Sequence, residues 1–316
     1  MSSPKKSTTP FFRKGQSPQE ALESLEAAVS DSLEQVRDVN ARIDKRAGRP
    51  LWKAIAIGLL LGGIFLASLL VVVEVFVLFL TVLVVFAVLE LAGALREKGR
   101  LRARWPLVSL AAPIIPISFF FGAEGQLWSL FGAMVVAVLI RGIRSLLDPP
   151  ARSSTLPDMG IAIMVLAYVP FLASFAAVIA SRDVGVWWVL AGVIVVVSVD
   201  VAAYATGLSL GRTPLAPKIS PKKTWEGFAG SLVAAVVAGV LTGVFLLGQQ
   251  WWVGAVLGLV LLGSATLGDL VESLIKRDLQ IKDISSWLPG HGGFLDRLDS
   301  MLPSMAMLYV MFQIFR

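Results

Sequence analysis

The chain has no cysteine and only one histidine among its 316 residues. Without thiols there are no disulfides, no thiolate metal ligands and no cysteine nucleophile, and a single imidazole cannot build a multi-histidine metal cluster. Charge is sparse too: Asp, Glu, Lys and Arg together make up 16% of the chain, and the formal net charge of +6 is accounted for by loops. Nothing in that balance forms the basic footprint of a nucleic-acid binder, so no nucleic-acid partner is expected. What abounds is apolar, with 56% hydrophobic residues and a mean hydropathy of +0.77. A soluble domain cannot cover so much apolar surface, and the composition predicts an all-α, polytopic integral membrane protein.

Two regions follow from the pattern. Residues 1–50 are polar and lack the basic, apolar, small-residue order of a signal peptide, so they are expected to stay on the mature protein as a cytoplasmic tail. The first part, 2–17, reads as disordered. Over 18–46, Leu22, Leu25, Val29, Leu33, Val36 and Ile43 recur at helical spacing and predict an amphipathic helix. Residues 51–316 are expected to form the transmembrane catalytic domain, with its charged signature segments at 200–227 and 268–299. Measured against the roughly 20 residues that cross a bilayer as helix, the apolar runs give about nine spans. They lie near 51–72, 73–95, 106–122, 126–140, 160–180, 186–208, 228–247, 251–267 and 301–315.

Basic residues orient these spans. The loops that share a side with the N-terminus in a nine-span chain carry 26 of the 28 Lys and Arg, leaving Arg182 and Arg316 opposite. Cytoplasmic loops are enriched in these residues, which predicts a cytoplasmic N-terminus in the cytoplasmic (inner) membrane, with every charge-rich loop facing the cytoplasm.

Two of those loops carry the chemistry. In segment 200–227, Asp200 interrupts an apolar run and Tyr204 follows one helical turn later on the same face. Ser220, Pro221, Lys222, Lys223 and Thr224 then place two ammonium groups and two hydroxyls on a proline-stiffened turn, which suits a phosphate chain. Topology alone would also account for the two lysines. In segment 268–299, Asp269, Glu272 and Ser273 share one helix face, and Lys276 and Arg277 follow a turn later. Asp296 and Asp299 lie three apart at the start of the last span. Carboxylates converging from two helices suit Mg²⁺, a hard cation that takes oxygen ligands, though Asp296 could equally cap a helix. His291 stands among Gly290, Gly292 and Gly293, where backbone can approach a ligand and the imidazole is unshielded, as for a phosphate contact or a proton donor to a leaving group.

Ser273, Lys276-Arg277, Lys282-Asp283, Pro289-Gly290-His291-Gly292-Gly293 and Asp296-Arg297-Leu298-Asp299 resemble, in order and spacing, the signature of the phosphatidate cytidylyltransferases, the CDP-diacylglycerol synthases. Ser220 to Gly227 is similar to a second block of that family. Where the family has a basic residue soon after its alanine-tyrosine element, here Ala203-Tyr204, this chain reads Gly207-Leu208, leaving Arg212 as the nearest base.

The resemblance implies that CTP and phosphatidate yield CDP-diacylglycerol and pyrophosphate. It assigns Mg²⁺ to Asp269, Asp296 and Asp299, catalysis to these and His291, and substrate contacts to Asp200, Tyr204, Ser220, Lys222, Lys223, Ser273, Lys276, Arg277 and Arg297. A homodimer stays open. Another membrane lipid nucleotidyltransferase or a lipid kinase would use similar residues. A proton-coupled transporter with Asp200 and Asp269 as a relay would instead need paired broken helices around a midplane site, which the one-sided charge distribution does not suggest.

Overall fold

The computed structural model describes residues 51–101, 105–147, 155–285, 287 and 292–316. The expected tail 1–50 and its amphipathic helix lie outside these residues, and so does His291. The chain divides into two units, Met1–Ala56 and Ile57–Arg316, and apart from residues 51–56 at the start of the first helix the architecture that follows is that of the second.

Long apolar runs form helices because only internal hydrogen bonding satisfies the backbone away from water. Helix α1 (Leu51–Val71) and α2 (Val73–Glu97) are parted at Val72, whose φ of −145° and ψ of 109° are extended. The continuous apolar run therefore breaks where the sequence reading divides it. A short α3 (Trp105–Ala111) leads into α4 (Ile114–Leu147), which leaves the helical conformation at Gly122, with φ 65° and ψ −153°. Glycine alone takes up that geometry readily. Next, α5 (Thr155–Leu166) and α6 (Leu172–Ala180) are joined by a π turn, Ala167–Phe171, around Pro170. Proline has no N–H for the helical ladder, and the wider turn accommodates the missing bond.

Helix α7 (Gly185–Leu210) runs into an antiparallel hairpin of β1 (Pro214–Ala216) and β2 (Ser220–Thr224), with Pro214 opposite Thr224 and Ala216 opposite Ser220. This hairpin departs from the all-α expectation, and the proline-stiffened turn of the sequence reading is its second strand. Then come α8 (Trp225–Leu241, extended by a π turn over Thr242–Leu246), α9 (Trp251–Asp278), α10 (Leu295–Leu298) and α11 (Met301–Phe315).

Among the described residues, seven stretches are long and apolar enough to cross a membrane: Val73–Glu97, Pro106–Leu147, Thr155–Ala180, Gly185–Leu210, Trp225–Leu246, Trp251–Asp278 and Leu295–Phe315. The difference from nine has two sources. Pro106–Leu147 counts once although Gly122 interrupts it, and α1 contributes only a shorter apolar helix, Gly58–Val71.

Helices α8 and α9 make close contact through small residues. A methyl on Gly239 would come 2.3 Å from the Gly254 carbonyl oxygen, and one on Gly258 would come 2.1 Å from that of Ala235. Such small-residue seams let backbones approach where lipid offers no hydrophobic drive between helices. The core includes the fully buried Trp188, Phe76 and Phe312. Conversely, Phe120, Phe121, Trp128 and Phe131 of α4 are mostly exposed, as on a helix that faces lipid.

Candidate active site

Helix α7 delivers Asp200 and Tyr204 near its C-terminal end, and the hairpin then turns the chain back into α8. Its base is tied by Glu226, whose carboxylate accepts from the backbone N–H of Arg212 (3.1 Å) and Thr213 (3.1 Å) and from Thr213 Oγ1 (3.0 Å). Thr224 caps α8, its Oγ1 accepting from Gly227 N–H at 3.1 Å. That cap satisfies an otherwise unpaired amide of the first helical turn. Held at both ends, β2 presents Ser220, Lys222 and Lys223 toward the ends of α9 and α10.

Helix α9 passes α10 and α11 at Gly268. A methyl there would lie 2.2 Å from the Asp299 carbonyl oxygen and 2.6 Å from Pro303 Cγ, so the crossing exists only because this residue has no side chain. The next residue, Asp269, is thereby set beside Asp299. One cleft of about 390 Å³ gathers the result: Asp200, Tyr204, Ser220, Lys222, Lys223, Asp269, Asp296, Arg297 and Asp299 all line it. Nine residues singled out from sequence, spread over a hundred positions, share its wall.

Inside the cleft the charges are arranged in pairs. Lys223 Nζ lies 2.6 Å from Asp269 Oδ2, and Ser273 Oγ donates to Asp269 Oδ1 at 3.2 Å. Asp299 Oδ1 accepts from the Ser300 amide at 2.6 Å, and Ser300 Oγ lies 3.5 Å from Asp200 Oδ1. Asp296 accepts from Lys276 Nζ (3.0 Å) and from Gly293 N–H (2.7 Å).

Four expected residues lie elsewhere. Lys276 is clasped between Asp296 and the fully buried Glu272, so its ammonium balances two carboxylates instead of facing the cleft. Removing it would deprive both of this ammonium in a poorly solvated place, at a cost of about 3–5 kcal/mol. Arg277 Nε donates to the Ile219 carbonyl at 3.2 Å and secures the hairpin. Ser273 acts on Asp269, as described. Arg212 is exposed and does not line the cleft. Sequence reasoning overlooked Ser231, Thr266 and Ser300, which also line it; Ser231 and Thr266 are isolated hydroxyls inside apolar helices, and Ser300 sits in the turn between α10 and α11, beside the more conspicuous Asp299.

The expected magnesium ligands Asp269, Asp296 and Asp299 all line the cleft, but among the described residues no group of three Asp, Glu, His or Cys side chains is placed to hold a metal ion by itself. Mg²⁺ keeps much of its water and is usually held by one or two carboxylates together with substrate phosphates, so a full protein cage is not required.

A model of the cytidylyltransferase family matches residues 52–315, nearly the whole described region. The chain belongs to the cytidylyltransferase family. It is also similar to curated relatives along most of its length. The phosphatidate cytidylyltransferase of Mycobacterium tuberculosis (strain ATCC 25618 / H37Rv) is 38% identical over 302 residues, covering 92% of this chain and 92% of the relative. That of Mycobacterium leprae (strain TN) is 41% identical over 277 residues, covering 84% and 88%. A more distant match, from Brucella suis biovar 1 (strain 1330), is 45% identical over 121 residues, covering 38% of this chain and 45% of the relative. In this member of the family, the lysines of the hairpin and the carboxylates of α7, α9 and α10 meet where the apolar helices end.

Proposed function

We infer that this chain is a phosphatidate cytidylyltransferase, a membrane enzyme that makes CDP-diacylglycerol and pyrophosphate from CTP and phosphatidate. The observation that carries the reading is the single cleft in which a lysine-bearing hairpin faces carboxylates from three helices, within a chain of the cytidylyltransferase family.

The chemistry suits that cleft. A phosphatidate oxygen is already anionic near neutral pH, so attack on the α-phosphorus of CTP needs no strong base. A bond forms from that oxygen to the α-phosphorus, the bond to the bridging α–β oxygen breaks, and pyrophosphate leaves with the electron pair. What must be supplied is alignment of two anions and neutralisation of their charge. Lys222, Lys223 and Arg297 can hold phosphate oxygens, with Ser220 as a hydroxyl partner. Lys223 can exchange its bond to Asp269 for one to a phosphate. The cleft also has four carboxylates against three basic side chains, an unfavourable field for a triphosphate unless a divalent cation joins it. Asp269, Asp296 and Asp299 would hold Mg²⁺, which when bound offsets phosphate charge and stabilises departing pyrophosphate.

A second pocket, of about 230 Å³, supports a lipid substrate. Phe65, Phe76, Phe79, Met301 and Met305 are among its apolar lining, and Arg297 lies in the walls of both pockets. A guanidinium between an apolar recess and a polar cleft suits an amphiphile with an anionic head. The topology belongs to the same proposal: nine spans, counting α1 and dividing Pro106–Leu147 at Gly122, with the N-terminus and the cleft on the cytoplasmic side of the inner membrane. The one-sided distribution of Lys and Arg supports it.

The test is direct. Protein purified into lipid nanodiscs receives Mg²⁺, phosphatidate and CTP labelled at the α-phosphate or, in a parallel reaction, at the γ-phosphate, and the lipid phase is analysed. The α label is expected in CDP-diacylglycerol, with the γ label released as an equal amount of pyrophosphate. Transfer of the γ label to lipid would make it a kinase, and an absence of α-labelled lipid would overturn the assignment.

A further inference from the structure

Helix α2 carries a carboxylate that the reaction just described does not use. Glu90 is 3% exposed within an otherwise apolar stretch. A buried acid in such a helix is costly unless its oxygens are satisfied, and it marks function by default. Both oxygens are satisfied by one distant segment. Ser285 Oγ donates to Oε1 at 2.5 Å, and the Leu295 amide donates to Oε2 at 3.0 Å.

One turn earlier on the same helix face, Phe86 grips the same segment. Its ring stacks on Phe294, with centroids 4.9 Å apart and planes at 13°, and meets Trp287 edge-on at 5.9 Å. Gly293 is wedged between this helix and the cleft: a methyl on it would lie 2.7 Å from Glu90 Oε2 and 3.1 Å from Asp296 Oδ2. The Gly293 amide in turn donates to Asp296. Glu90 is thus one residue removed from a carboxylate of the cleft, and it fixes the amide that opens α10, the turn that carries Asp296 and Arg297.

We propose that Glu90 is a positioning residue for cytidylyl transfer: with Phe86 it clamps Ser285, Trp287, Phe294 and Leu295 onto α2, and so sets where Asp296 and Arg297 stand in the cleft. The inference rests on the cytidylyltransferase reading for its kinetic consequence, while the clamp itself is a matter of structure alone.

Three single variants, one double variant and two readouts test it. Glu90→Leu removes both bonds without placing a new polar group in the helix. Glu90→Gln keeps one strong acceptor and a donor that Ser285 can receive, so it should restore much of the function. Ser285→Ala, outside the helix, removes a single bond and cannot disturb membrane insertion. In nanodiscs, hydrogen exchange of residues 292–298 should speed up in Glu90→Leu while exchange in α9 stays as in the wild type. In steady-state assays, kcat for CDP-diacylglycerol formation should fall roughly a hundredfold in Glu90→Leu and up to about tenfold in Ser285→Ala, with KM for CTP little changed. Adding Asp296→Asn to Glu90→Leu should then cost little more than the worse single change, because both act through one carboxylate. Unchanged exchange at 292–298, or independent and multiplicative losses in the double variant, would overturn the positioning role. A wild-type protein that makes no CDP-diacylglycerol would instead sink the reaction assignment, and the exchange result would still decide the clamp.

Discussion

Replacing Gly268 by alanine adds a single methyl group, yet it should nearly silence the enzyme. The added carbon would sit 2.2 Å from the Asp299 carbonyl oxygen and 2.6 Å from Pro303 Cγ, where ordinary contact begins at 3.4 Å. Neither neighbour can swing aside, since one is backbone and the other a ring fixed in α11. Helix α9 must therefore move from α10 and α11 by about an ångström, which carries Asp269 away from Asp299. Overpacking of this kind costs about 1–3 kcal/mol of stability. The effect on rate should be larger, because misplacing a reacting group by about 1 Å can cost a hundredfold. Gly263, on the same helix, is the control: a methyl there would meet nothing within 4 Å. Gly263→Ala should be neutral or slightly stabilising, since alanine is the better helix former by roughly 0.5–1 kcal/mol. Both proteins would be compared in nanodiscs by thermal unfolding and by CDP-diacylglycerol formation at saturating CTP. Equal turnover in the two variants would refute the claim that the crossing at Gly268 sets the carboxylate spacing.

Asp269→Asn, Asp296→Asn and Asp299→Asn should each cut turnover by about a hundredfold or more in folded, inserted protein, several kcal/mol at the transition state, and near-normal activity at saturating Mg²⁺ would remove that residue from the ligand set. The double change Lys222→Arg, Lys223→Arg keeps charge and topology but replaces compact ammonium groups by planar forks, so kcat/KM for CTP should drop by roughly tenfold; unchanged CTP kinetics would leave both lysines with a topological role. Because the chain lacks cysteine, single cysteines at Ser220 and Ser285 should react with impermeant thiol reagents only once the cytoplasmic side is opened, and one at Gln250 should react in intact cells; external labelling at Ser220 would reverse the orientation. Ala176→Leu narrows the apolar pocket beside Arg297 and should raise KM roughly tenfold for long-chain phosphatidate while sparing a short-chain analogue, whereas an equal effect on both would place the acyl chains elsewhere.

The cleft was legible in the sequence because charge stands out against an apolar background. Asp200, Asp269, Asp296 and Asp299 each interrupt or border a long hydrophobic run, and Lys222 and Lys223 sit beside a proline in a basic loop. Their convergence on one cleft is what the structure adds. Less legible was which charge answers which. Lys276 and Arg277 read as phosphate ligands by type and spacing, but one is held by Glu272 and Asp296 and the other donates to the Ile219 carbonyl, partners brought near by the fold and not by the sequence. Glu90 went unread although it is an acid in an apolar run, because its partners lie some two hundred residues away, and no local pattern announces a contact of that range. The hairpin went unread for a related reason: its strands are short, and Glu226, which ties its base, belongs to the following helix.

Helix α9 is longer than the apolar layer of a bilayer, and its length sets the depth at which the reaction runs. It begins with Trp251 and Trp252, both partly exposed, the kind of residue that settles at a membrane–water boundary. At a rise of 1.5 Å per residue, Asp269 stands about 27 Å further along, close to the far edge of a hydrocarbon layer about 30 Å thick. That is the level at which a phospholipid keeps its own phosphate. A lipid substrate can thus be searched for by diffusion in the plane of its leaflet and converted without being lifted out, so its chains never meet water, an exposure that costs about 0.8 kcal/mol for every methylene.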